Sequence, residues 1–376
     1  MPKVMHIISG LKVGGAEMML HRLIGCFEGS EYSHLVVSLS SGGDMEQRFK
    51  SKNIRLIILD FKRTPFVSLF KLFSVLRKEK PQIVQTWMYH SDLLGGVVAR
   101  LSGIKNVIWG VRTTNVSSGG LTSLIRKLCA FASRIIPRVI ICAAQASKAS
   151  HAQIGYDASR MLVIPNGFEL EKLVASQEQR NSIRVEYDVA TEDLLVGSVG
   201  RYSAVKDHRT FIRAAGLLAA RFSAVKFLLV GRDLDKNNAD LTALIEGTGF
   251  AERFICLGER SDIPACFKAM DIFCLHSITE GFPNALGEAM SIALPCVTTD
   301  VGDAAYLLGD AGIVVPSQNP ESLAKALETL IIASPAERLG LGERAHKRVV
   351  ENFTMSCAKN QFERIYEQLT LLDKHA

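Results

Sequence analysis

Two successive rounds of a strand-and-helix pattern constrain the fold of this chain more than any other feature. In the first half, amphipathic segments typical of helices separate short apolar runs, which are "VMHIIS", "HLVVSL", "IRLIIL", "QIVQT", "VIWGV" and "RVIIC". After the turn-rich stretch "VIPNGFELEKLV", the pattern resumes with "LLVGSVG", "VKFLLVG", "RFICLG", "IFCLH", "PCVTTD" and "GIVVP". Strands that alternate with helices predict βαβ units and parallel sheets. Because 376 residues exceed one ordinary core, we expect an α/β chain with two domains of about 150–200 residues each.

The charge of the chain is distributed unevenly between its halves. Residues 1–165 contain 22 Lys and Arg against 9 Asp and Glu, a net charge of +13, whereas residues 166–376 contain 22 against 29, a net charge of −7. The basic half predicts an anionic partner, either nucleic acid or an anionic membrane. Because the sequence has no nucleic-acid fold signature and no basic groove interleaved with aromatic residues, we expect a membrane surface and no nucleic acid.

Two basic, amphipathic stretches are candidates for that membrane contact. They are "FKRTPFVSLFKLFSVLRKEK" (61–80) and "LIRKLCAFASRIIPRVI" (124–140). Aromatic or aliphatic side chains mixed with Lys and Arg are typical of interfacial helices, and equally of helices that cover a sheet.

Other bulk features indicate a reducing compartment. Eight scattered cysteines form no C-x-x-C pair, and no apolar run approaches the roughly 20 residues that span a bilayer. The N-terminus enters a strand pattern without the regions of a signal peptide. We therefore expect reduced thiols and a cytoplasmic location.

Two loops of the first half carry candidate binding residues. In "SGLKVGGAE", Gly14 and Gly15 lie between a strand and a helix, where the backbone approaches a ligand closely and free N–H groups face an anion. The alternative is a plain turn. In "QTWMYHSDLLG", His90 follows a buried strand and precedes a helix expected to start around Asp92. His90 is therefore either structural or a catalytic residue at the ligand-binding edge of the sheet.

One loop of the second half pairs two cations. Gly200 ends a strand in "VGRYSAVKD", and Arg201 and Lys206 follow before the next helix. The planar fork of Arg and the point charge of Lys both suit a diphosphate, and neutralising that charge assists its departure as a leaving group. The alternative is a solvated loop with incidental charge.

Another loop of this half carries two carboxylates. In "SITEGFPNALGEAM", Glu280 follows a strand and Glu288 lies about a turn into the next helix. Pro283 suits the first turn of that helix, and Gly281 and Phe282 present backbone N–H groups beside it. Glu288 is placed to accept hydrogen bonds from a ribose diol or, alternatively, to complement the helix dipole.

Taken together, these motifs resemble those of the retaining glycosyltransferases of family 4, which have the GT-B fold. "GGAE", "HSDLLG", "VIPNG", G-R-x4-K and E-x7-E occur in the order and at the spacings of that family, over nearly the whole chain. The resemblance implies two facing Rossmann-like domains with parallel sheets and a cleft between them. The implied domains are an acceptor-binding domain of residues 1–168, joined by a terminal helix of about 355–376 that crosses back to it, and a nucleotide-sugar-binding domain of residues 169–354.

The resemblance also implies roles for individual residues. Arg201 and Lys206 bind the donor diphosphate, Glu288 binds the ribose, and His90 contacts the donor sugar near its anomeric carbon. Glu280 binds the sugar together with a donor-binding segment that comprises Gly281, Phe282, Pro283, Asn284, Ala285 and Leu286. Gly14 and Gly15 are implied to face the donor phosphates and the acceptor. The backbone around Glu259 and Arg260 is implied to face the nucleobase. The implied catalytic residues are His90, Arg201, Lys206 and Glu280.

The chain departs from the family in two places. Several members have further histidines in the pattern HTHxxHxD, where this chain has Gln85, Thr86 and Trp87 before the matched His90. The segment "RTTNVSSGGLTSLIRK" matches no motif, and we assign acceptor recognition to it, with Arg112 and Asn115 as candidate acceptor-binding residues.

The resemblance implies a retaining glycosyltransferase that moves a sugar from a nucleotide sugar, with a UDP-sugar favoured, to a lipid-linked or saccharide acceptor in cell-surface polysaccharide, O-antigen or capsule biosynthesis. Because Glu280 is implied at the sugar hydroxyls and not beneath the anomeric carbon, we expect front-face substitution without a metal or other cofactor. We expect the enzyme on the cytoplasmic face of the inner membrane. The alternatives are a GT-B nucleotide-sugar epimerase, a phosphorylase, or a protein that binds a nucleotide sugar without turnover.

Overall fold

Two parallel sheets organise the chain in the computed structural model, which describes residues 1–114, 116 and 120–374. The N-terminal domain consists of Met1–Gly167 and the C-terminal segment that begins at Met355, and the C-terminal domain is Phe168–Thr354. Each domain is a parallel sheet covered by helices, so the fold class is α/β with two Rossmann-like domains.

Seven parallel strands form the sheet of the N-terminal domain, in the order β3-β2-β1-β4-β5-β6-β7. They are β1 (Lys3–Ile8), β2 (Ser33–Ser38), β3 (Arg55–Ile58), β4 (Ile83–Trp87), β5 (Val107–Val111), β6 (Val139–Cys142) and β7 (Met161–Val163). The strand order reverses between β1 and β4, so the loops after these two strands diverge and leave room for a ligand.

Helices cover both faces of this sheet. They are α1 (Gly15–Cys26), α2 (Met45–Ser51), α3 (Pro65–Glu79), α4 (Tyr89–Leu101), α5 (Leu121–Ala132) and α6 (Gln145–Gln153). Buried residues of α1 and α2 belong to the apolar cluster on one face, and buried residues of α3, α4 and α5 belong to the cluster on the other. The helix α4 packs against both α3 and α5.

Six strands and eight α-helices form the C-terminal domain, all of whose residues the structure describes. The strands are β8 (Leu194–Val199), β9 (Val225–Val230), β10 (Phe254–Cys256), β11 (Ile272–Leu275), β12 (Cys296–Thr299) and β13 (Gly312–Val315). The helices of the C-terminal domain are α7 (Gln177–Glu186), α8 (His208–Ala219), α9 (Ala239–Glu246), α10 (Ile263–Ala269), α11 (Asn284–Ser291), α12 (Ala304–Leu308), α13 (Pro320–Ile332) and α14 (Pro335–Asn352). The sheet order is β10-β9-β8-β11-β12-β13, which reverses between β8 and β11. A ligand site is expected at that reversal, as in the first sheet.

The last helix, α15 (Met355–Lys374), returns to the N-terminal domain. Phe362 and Tyr366 are fully buried in the cluster that also holds α1. The Tyr366 hydroxyl donates to Gln85 Oε1 at 2.5 Å, and Asn106 Nδ2 donates to the Leu369 carbonyl at 3.2 Å. The polar Gln85 at the position of a family histidine is therefore a partner of the C-terminal helix.

Of the thirteen strands found in the described residues, twelve coincide with the runs predicted from sequence, and β7 was missed. Its residues Met161–Val163 precede "IPNG", which was read as a turn-rich pause. Although "MLVI" is apolar, the strand is only three residues long and lies at the edge of its sheet, and the turn signal "PNG" that follows outweighed so short a run.

The helix α4 begins earlier than predicted. It starts at Tyr89 and not around Asp92, so His90 is the second helical residue instead of preceding the helix. Met88 has a positive φ of 74°, which turns the chain sharply from β4 into α4. None of the helices in the described part of the chain is long and apolar enough to cross a membrane.

Candidate functional site

Two loops of the C-terminal domain meet at the reversal of its strand order. One follows β8 and contains a short 3-10 turn, Ala204–Lys206, and the other follows β11 and leads into α11. The backbone N–H of Ile278 donates to the Val205 carbonyl at 2.8 Å and so joins the loops directly. The carboxyl edge of the sheet therefore carries both predicted donor motifs side by side.

Lys206 and Glu280 form an ion pair across these two loops. Lys206 Nζ lies 2.5 Å from Glu280 Oε1, and the Ser277 hydroxyl donates to the same oxygen at 2.7 Å. The exposed fraction is 23% for the Lys206 side chain and 14% for that of Glu280. A half-buried, hydrogen-bonded pair holds both long side chains in one geometry, ready to offer a cation to a phosphate and an acceptor to a hydroxyl group.

A glycine shapes the backbone around Glu280. Gly302 has φ +55°, and a Cβ at this position would lie 2.3 Å from the Glu280 carbonyl oxygen. The neighbouring Asp303 N–H donates to the Gly281 carbonyl at 2.9 Å. The loop after β12 therefore supports the Glu280 loop from behind, and only glycine permits this close approach.

A buried histidine fixes the backbone of Lys206. His276 Nδ1 donates to the Lys206 carbonyl at 2.5 Å, so its Nε2 accepts from the Ser198 hydroxyl at 2.7 Å. Burial lowers the pKa of His276 well below its ordinary value, which keeps the ring neutral. The sequence analysis missed this residue, although His276 ends the run "IFCLH"; a histidine at the carboxyl end of a buried strand was the available signal.

Arg201 is placed differently from Lys206. It directly follows Gly200 at the end of β8, and its side chain is exposed. Among the described residues, it has no hydrogen bond or ion pair with a protein group. The structure therefore puts Arg201 on the same loop as Lys206 but not in the Lys206–Glu280 pair.

The predicted donor-binding segment surrounds the start of α11. The sequence predicted Pro283 in the first turn of this helix. In the structure, Pro283 instead directly precedes the helix, and Asn284 is the first helical residue. Phe282 and Leu286 are buried, and Phe282 packs on Phe168 with 6.0 Å between ring centroids. These two side chains belong to the core, so only their backbone groups are available to a ligand. Gly281, Asn284, Ala285 and Glu288 are half-buried.

The residues predicted near the nucleobase already have charged neighbours. Glu259 Oε2 lies 3.6 Å from Arg232 Nε, and both side chains are exposed. The guanidinium of Arg260 donates to both carboxylate oxygens of Asp262, at 2.8 and 2.7 Å. This fork raises the pKa of Arg260 and lowers that of Asp262. The Arg260 side chain is therefore held by Asp262, whereas that of Glu259 is exposed beside Arg232.

His90 lies in a pocket of the N-terminal domain. The pocket has a volume of about 760 Å³ and is lined by the loops after β1, β2 and β3, by one side of α4 and by Ile125 of α5. His90 is exposed at its edge. The pocket thus occupies the reversal of the strand order, at the carboxyl edge of the sheet, where an acceptor site is expected.

Gly14 and Gly15 lie beside the same pocket without lining it. Gly14 is extended, and the Glu17 carboxylate occupies the space beside it, with Oε2 2.6 Å from the position of a Gly14 Cβ. Burial raises the pKa of Glu17 above its ordinary value. Lys12 and Glu17, on either side of the two glycines, do line the pocket.

A buried aspartate anchors the helix that carries His90. Asp92 Oδ1 accepts from the Thr86 hydroxyl at 2.5 Å and from the Gly110 N–H at 3.3 Å, which ties α4 to β4 and β5. Burial raises the pKa of Asp92 to about 7. The motif "HSDLLG" therefore joins an exposed histidine to a buried residue that fixes its helix, a role that the sequence analysis did not assign.

Of the two predicted acceptor-binding residues, the structure describes only Arg112. Arg112 Nη1 donates to Asn166 Oδ1 at 3.1 Å, and its guanidinium lies over the Trp87 ring, 4.7 Å from the centroid. Burial lowers the pKa of Arg112 to about 10. Arg112, which is half-buried just after β5, thus contacts Asn166 and Trp87 of its own domain, while Asn115 lies outside the described residues.

The structure brings together Lys206, Glu280 and the start of α11, and it separately groups His90 with the loop that contains Gly14 and Gly15. In the part of the chain that the structure describes, no group of three or more His, Cys, Asp or Glu side chains is placed to hold a metal ion. The chemistry available at the first group is therefore charge neutralisation and hydrogen bonding of a polar anionic ligand.

Two protein families match the chain. The Glycosyltransferase Family 4 model matches residues 13–172, and the Glycosyl transferases group 1 model matches residues 193–332. These regions together take in most of both domains. The chain belongs to the GT-B glycosyltransferases of group 1, of the family 4 type.

Similar proteins agree with this assignment. The chain is 28% identical over 239 residues to UDP-Gal:alpha-D-GlcNAc-diphosphoundecaprenol alpha-1,3-galactosyltransferase of Escherichia coli, and the match spans 62% of the length of each protein. It is 24% identical over 314 residues, 80% of each protein, to the capsular polysaccharide biosynthesis glycosyltransferase CapM of Staphylococcus aureus. The solved structure of HepE from Anabaena in complex with UDP superposes with a TM-score of 0.86 at 20% identity, covering 97% of this chain and all of HepE, and shows the same fold.

Proposed function

We propose that this glycosyltransferase transfers a sugar, with retention of anomeric configuration, from a UDP-sugar to a lipid-linked saccharide in the assembly of a cell-surface polysaccharide. The observation that carries the proposal is the Lys206–Glu280 ion pair at the reversal of the second sheet. It combines a cation for a diphosphate with a carboxylate for sugar hydroxyls within one rigid pair of loops.

The donor assignment also has support from similar proteins. HepE, which shares the fold, has been solved with UDP and with UDP-glucose, and the Escherichia coli relative is named for a UDP-galactose donor. In this chain, Lys206 and Arg201 bind the diphosphate, Glu280 binds sugar hydroxyls and Glu288 binds the ribose. Backbone N–H groups at the start of α11 complete the anion site.

The proposed reaction is a substitution on one face of the donor sugar. The bond between the anomeric carbon and the diphosphate oxygen breaks, and a bond from the acceptor oxygen forms on the same face. The acceptor hydroxyl proton passes to an oxygen of the leaving diphosphate. Lys206 stabilises the negative charge that develops on this leaving group, so the proposed mechanism requires no metal.

In this mechanism, Glu280 is not a nucleophile. Both Lys206 and Ser277 contact its Oε1, which directs this oxygen into a hydrogen-bond network. A carboxylate held in this way suits sugar hydroxyls. The roles of His90, Gly14, Gly15, Arg112, Asn115, Glu259 and Arg260 stay predictions.

The proposed acceptor is bound at an anionic membrane surface on the cytoplasmic side of the inner membrane. Phe66 and Phe70 on α3 are 85% and 73% exposed, and Leu121 and Phe131 on α5 are each 70% exposed. These side chains stand beside Lys and Arg residues of two helices on the same face of the sheet. Such surfaces bind anionic interfaces. The eight cysteines are free thiols, which is consistent with a reducing compartment.

The proposal is tested first by thermal unfolding with UDP-, GDP- and ADP-sugars. A UDP-sugar should raise the melting temperature most, because a ligand that binds only the folded state stabilises it. Adding a lipid-linked saccharide should then release UDP and form a product whose linkage retains the donor's anomeric configuration by NMR. Turnover that requires inorganic phosphate would identify a phosphorylase, and sugar conversion without an acceptor would identify an epimerase.

A further inference from the structure

The pocket beside His90 has one apolar wall. This wall is formed by residues from the loops after β2 and β3, from one side of α4 and from α5, namely Leu39, Phe61, Leu93, Leu94, Val97 and Ile125. A saccharide acceptor alone would be recognised by hydrogen-bonding groups, and six apolar side chains offer it few. The wall therefore indicates a ligand that has a hydrocarbon part.

Basic side chains also line the pocket. Lys12 comes from the loop after β1 and Lys62 from the loop after β3, and His90 lies on α4. In the described residues, neither lysine has a hydrogen bond or ion pair with a protein group. The single carboxylate that lines the pocket, that of Glu17, is folded back against Gly14. Two free ammonium groups from separate loops are suited to an anion with several oxygens, such as a phosphate or diphosphate.

The apolar wall continues in sequence into exposed apolar helices. Lys62 lines the pocket three residues before α3, which carries the exposed Phe66 and Phe70. Ile125 lines it from α5, where Leu121 and Leu124 are exposed. Because α4 packs against both α3 and α5, the pocket and these exposed side chains belong to one side of the domain. A hydrocarbon chain that leaves the pocket along either helix therefore meets further apolar surface.

We propose that this pocket binds the phosphate-linked lipid end of the acceptor. Lys12 and Lys62 bind the phosphate or diphosphate that joins the saccharide to an isoprenoid chain, and the apolar wall binds the first part of that chain. The proposal rests on the proposed function, because it specifies the acceptor of that reaction, but it concerns a pocket of the N-terminal domain and not the donor site.

The test measures binding of farnesyl diphosphate, a short isoprenoid diphosphate, to the full-length protein by calorimetry. Saturating UDP is present throughout, so that the donor site is filled. We expect Lys12→Ala and Lys62→Ala each to weaken binding about tenfold, the loss expected for one charge-assisted hydrogen bond. Lys325→Ala, which removes an exposed lysine of α13 in the C-terminal domain, is the control and should bind like the wild type.

A second ligand and a further variant distinguish binding of the diphosphate from binding of the hydrocarbon chain. Inorganic diphosphate should bind more weakly than farnesyl diphosphate. The Val97→Asp substitution should weaken the binding of farnesyl diphosphate and should change the binding of inorganic diphosphate much less. Equal affinity for the two probes, or unchanged binding in both lysine variants, would overturn the proposal. If UDP still stabilises the protein while farnesyl diphosphate does not bind, this proposal fails and the proposed donor function stands.

Discussion

The Lys206 ammonium lies 2.5 Å from Glu280 Oε1, and this contact joins the loops that follow two neighbouring strands of the C-terminal sheet. Separated by 74 positions in sequence, the two residues meet because β8 and β11 are adjacent where the strand order reverses. Under the proposed function, a donor diphosphate would compete with Glu280 for Lys206, and sugar hydroxyls would replace Lys206 at the carboxylate. We therefore expect donor binding to exchange one charge-assisted contact for two.

Replacing Glu280 distinguishes a carboxylate that binds the sugar from one that attacks it. Glu280→Gln should lower turnover about 10–100-fold, because a neutral amide keeps the shape of the side chain but weakens its hydrogen bonds. Glu280→Ala should be slower still, and sodium azide should not restore its activity. The measurement is UDP release together with mass spectrometry of the products. Formation of a glycosyl azide by Glu280→Ala would identify Glu280 as a nucleophile and contradict the front-face mechanism.

Gly302→Ala should weaken donor binding without a direct contact to the donor. A methyl group at φ +55° strains the backbone and would lie 2.3 Å from the Glu280 carbonyl oxygen, so the Glu280 loop must move. We expect a loss of about 1–3 kcal/mol in the free energy of unfolding and a higher KM for the donor. The control is Gly340→Ala in α14, where a Cβ meets nothing closer than 3.9 Å. Unchanged donor KM in Gly302→Ala would contradict the proposed support of the loop.

Asp92→Asn should change how stability depends on pH. Because burial raises the folded-state pKa of Asp92 to about 7, the proton is held more tightly in the folded protein than in the unfolded chain. The protonated Asp92 therefore contributes to the free energy of unfolding. This contribution is complete below the unfolded pKa of about 4 and is lost as pH rises through 7.

The neutral side chain in Asp92→Asn removes this pH dependence. Relative to the variant, the wild type should lose a few kcal/mol of unfolding free energy, on the order of 3, between pH 4 and pH 7.5. Urea unfolding across this range measures the difference between the two proteins. The contributions of the buried histidines His6, His151, His208 and His276, whose pKa values burial lowers, are common to both proteins and cancel in this difference. Parallel stability profiles for the two proteins would show that Asp92 is charged in the fold.

The exposed aromatic side chains of α3 should mediate membrane binding. Phe66→Ser combined with Phe70→Ser should lower co-sedimentation with anionic vesicles several-fold, because it removes buried apolar area at the interface. Binding should also fall as the anionic lipid fraction is reduced. Ile332→Ser combined with Leu339→Ser, which removes two exposed apolar side chains of the C-terminal domain, is the control and should bind normally. If co-sedimentation changed neither in the Phe variant nor with the anionic lipid fraction, this surface would be excluded as the membrane-binding surface.

Much of the fold follows from local pattern in the sequence. Buried parallel strands such as "VKFLLVG" consist of continuous apolar residues, and these runs marked twelve strands. The edge strand β7 was missed because its apolar run is only three residues long and leads directly into the turn-rich stretch "IPNG". The start of α4 was misplaced because the left-handed turn at Met88 is not encoded by a glycine.

The site was predictable only in part. Motif spacing located Lys206 and Glu280, and strand topology then explained their contact. The sequence does not reveal the tertiary contacts of His276 and Asp92, because their partners Ser198 and Thr86 lie on other strands. For His276, the only local signal was its position at the end of a buried strand. The contacts of Arg112 were equally invisible, since Trp87 and Asn166 come from distant parts of the chain.

The dissociation constant of UDP for Lys206→Ala tests the central claim most directly. Calorimetry should show binding weakened at least tenfold relative to the wild type, the loss of one charge-assisted contact to the diphosphate. The Lys325→Ala variant, which removes an exposed lysine of α13, should bind UDP like the wild type. Both variants should be folded and should unfold in a single cooperative transition. A Lys206→Ala protein that is folded and binds UDP within twofold of the wild type would contradict the assignment of the Lys206–Glu280 pair as the donor site.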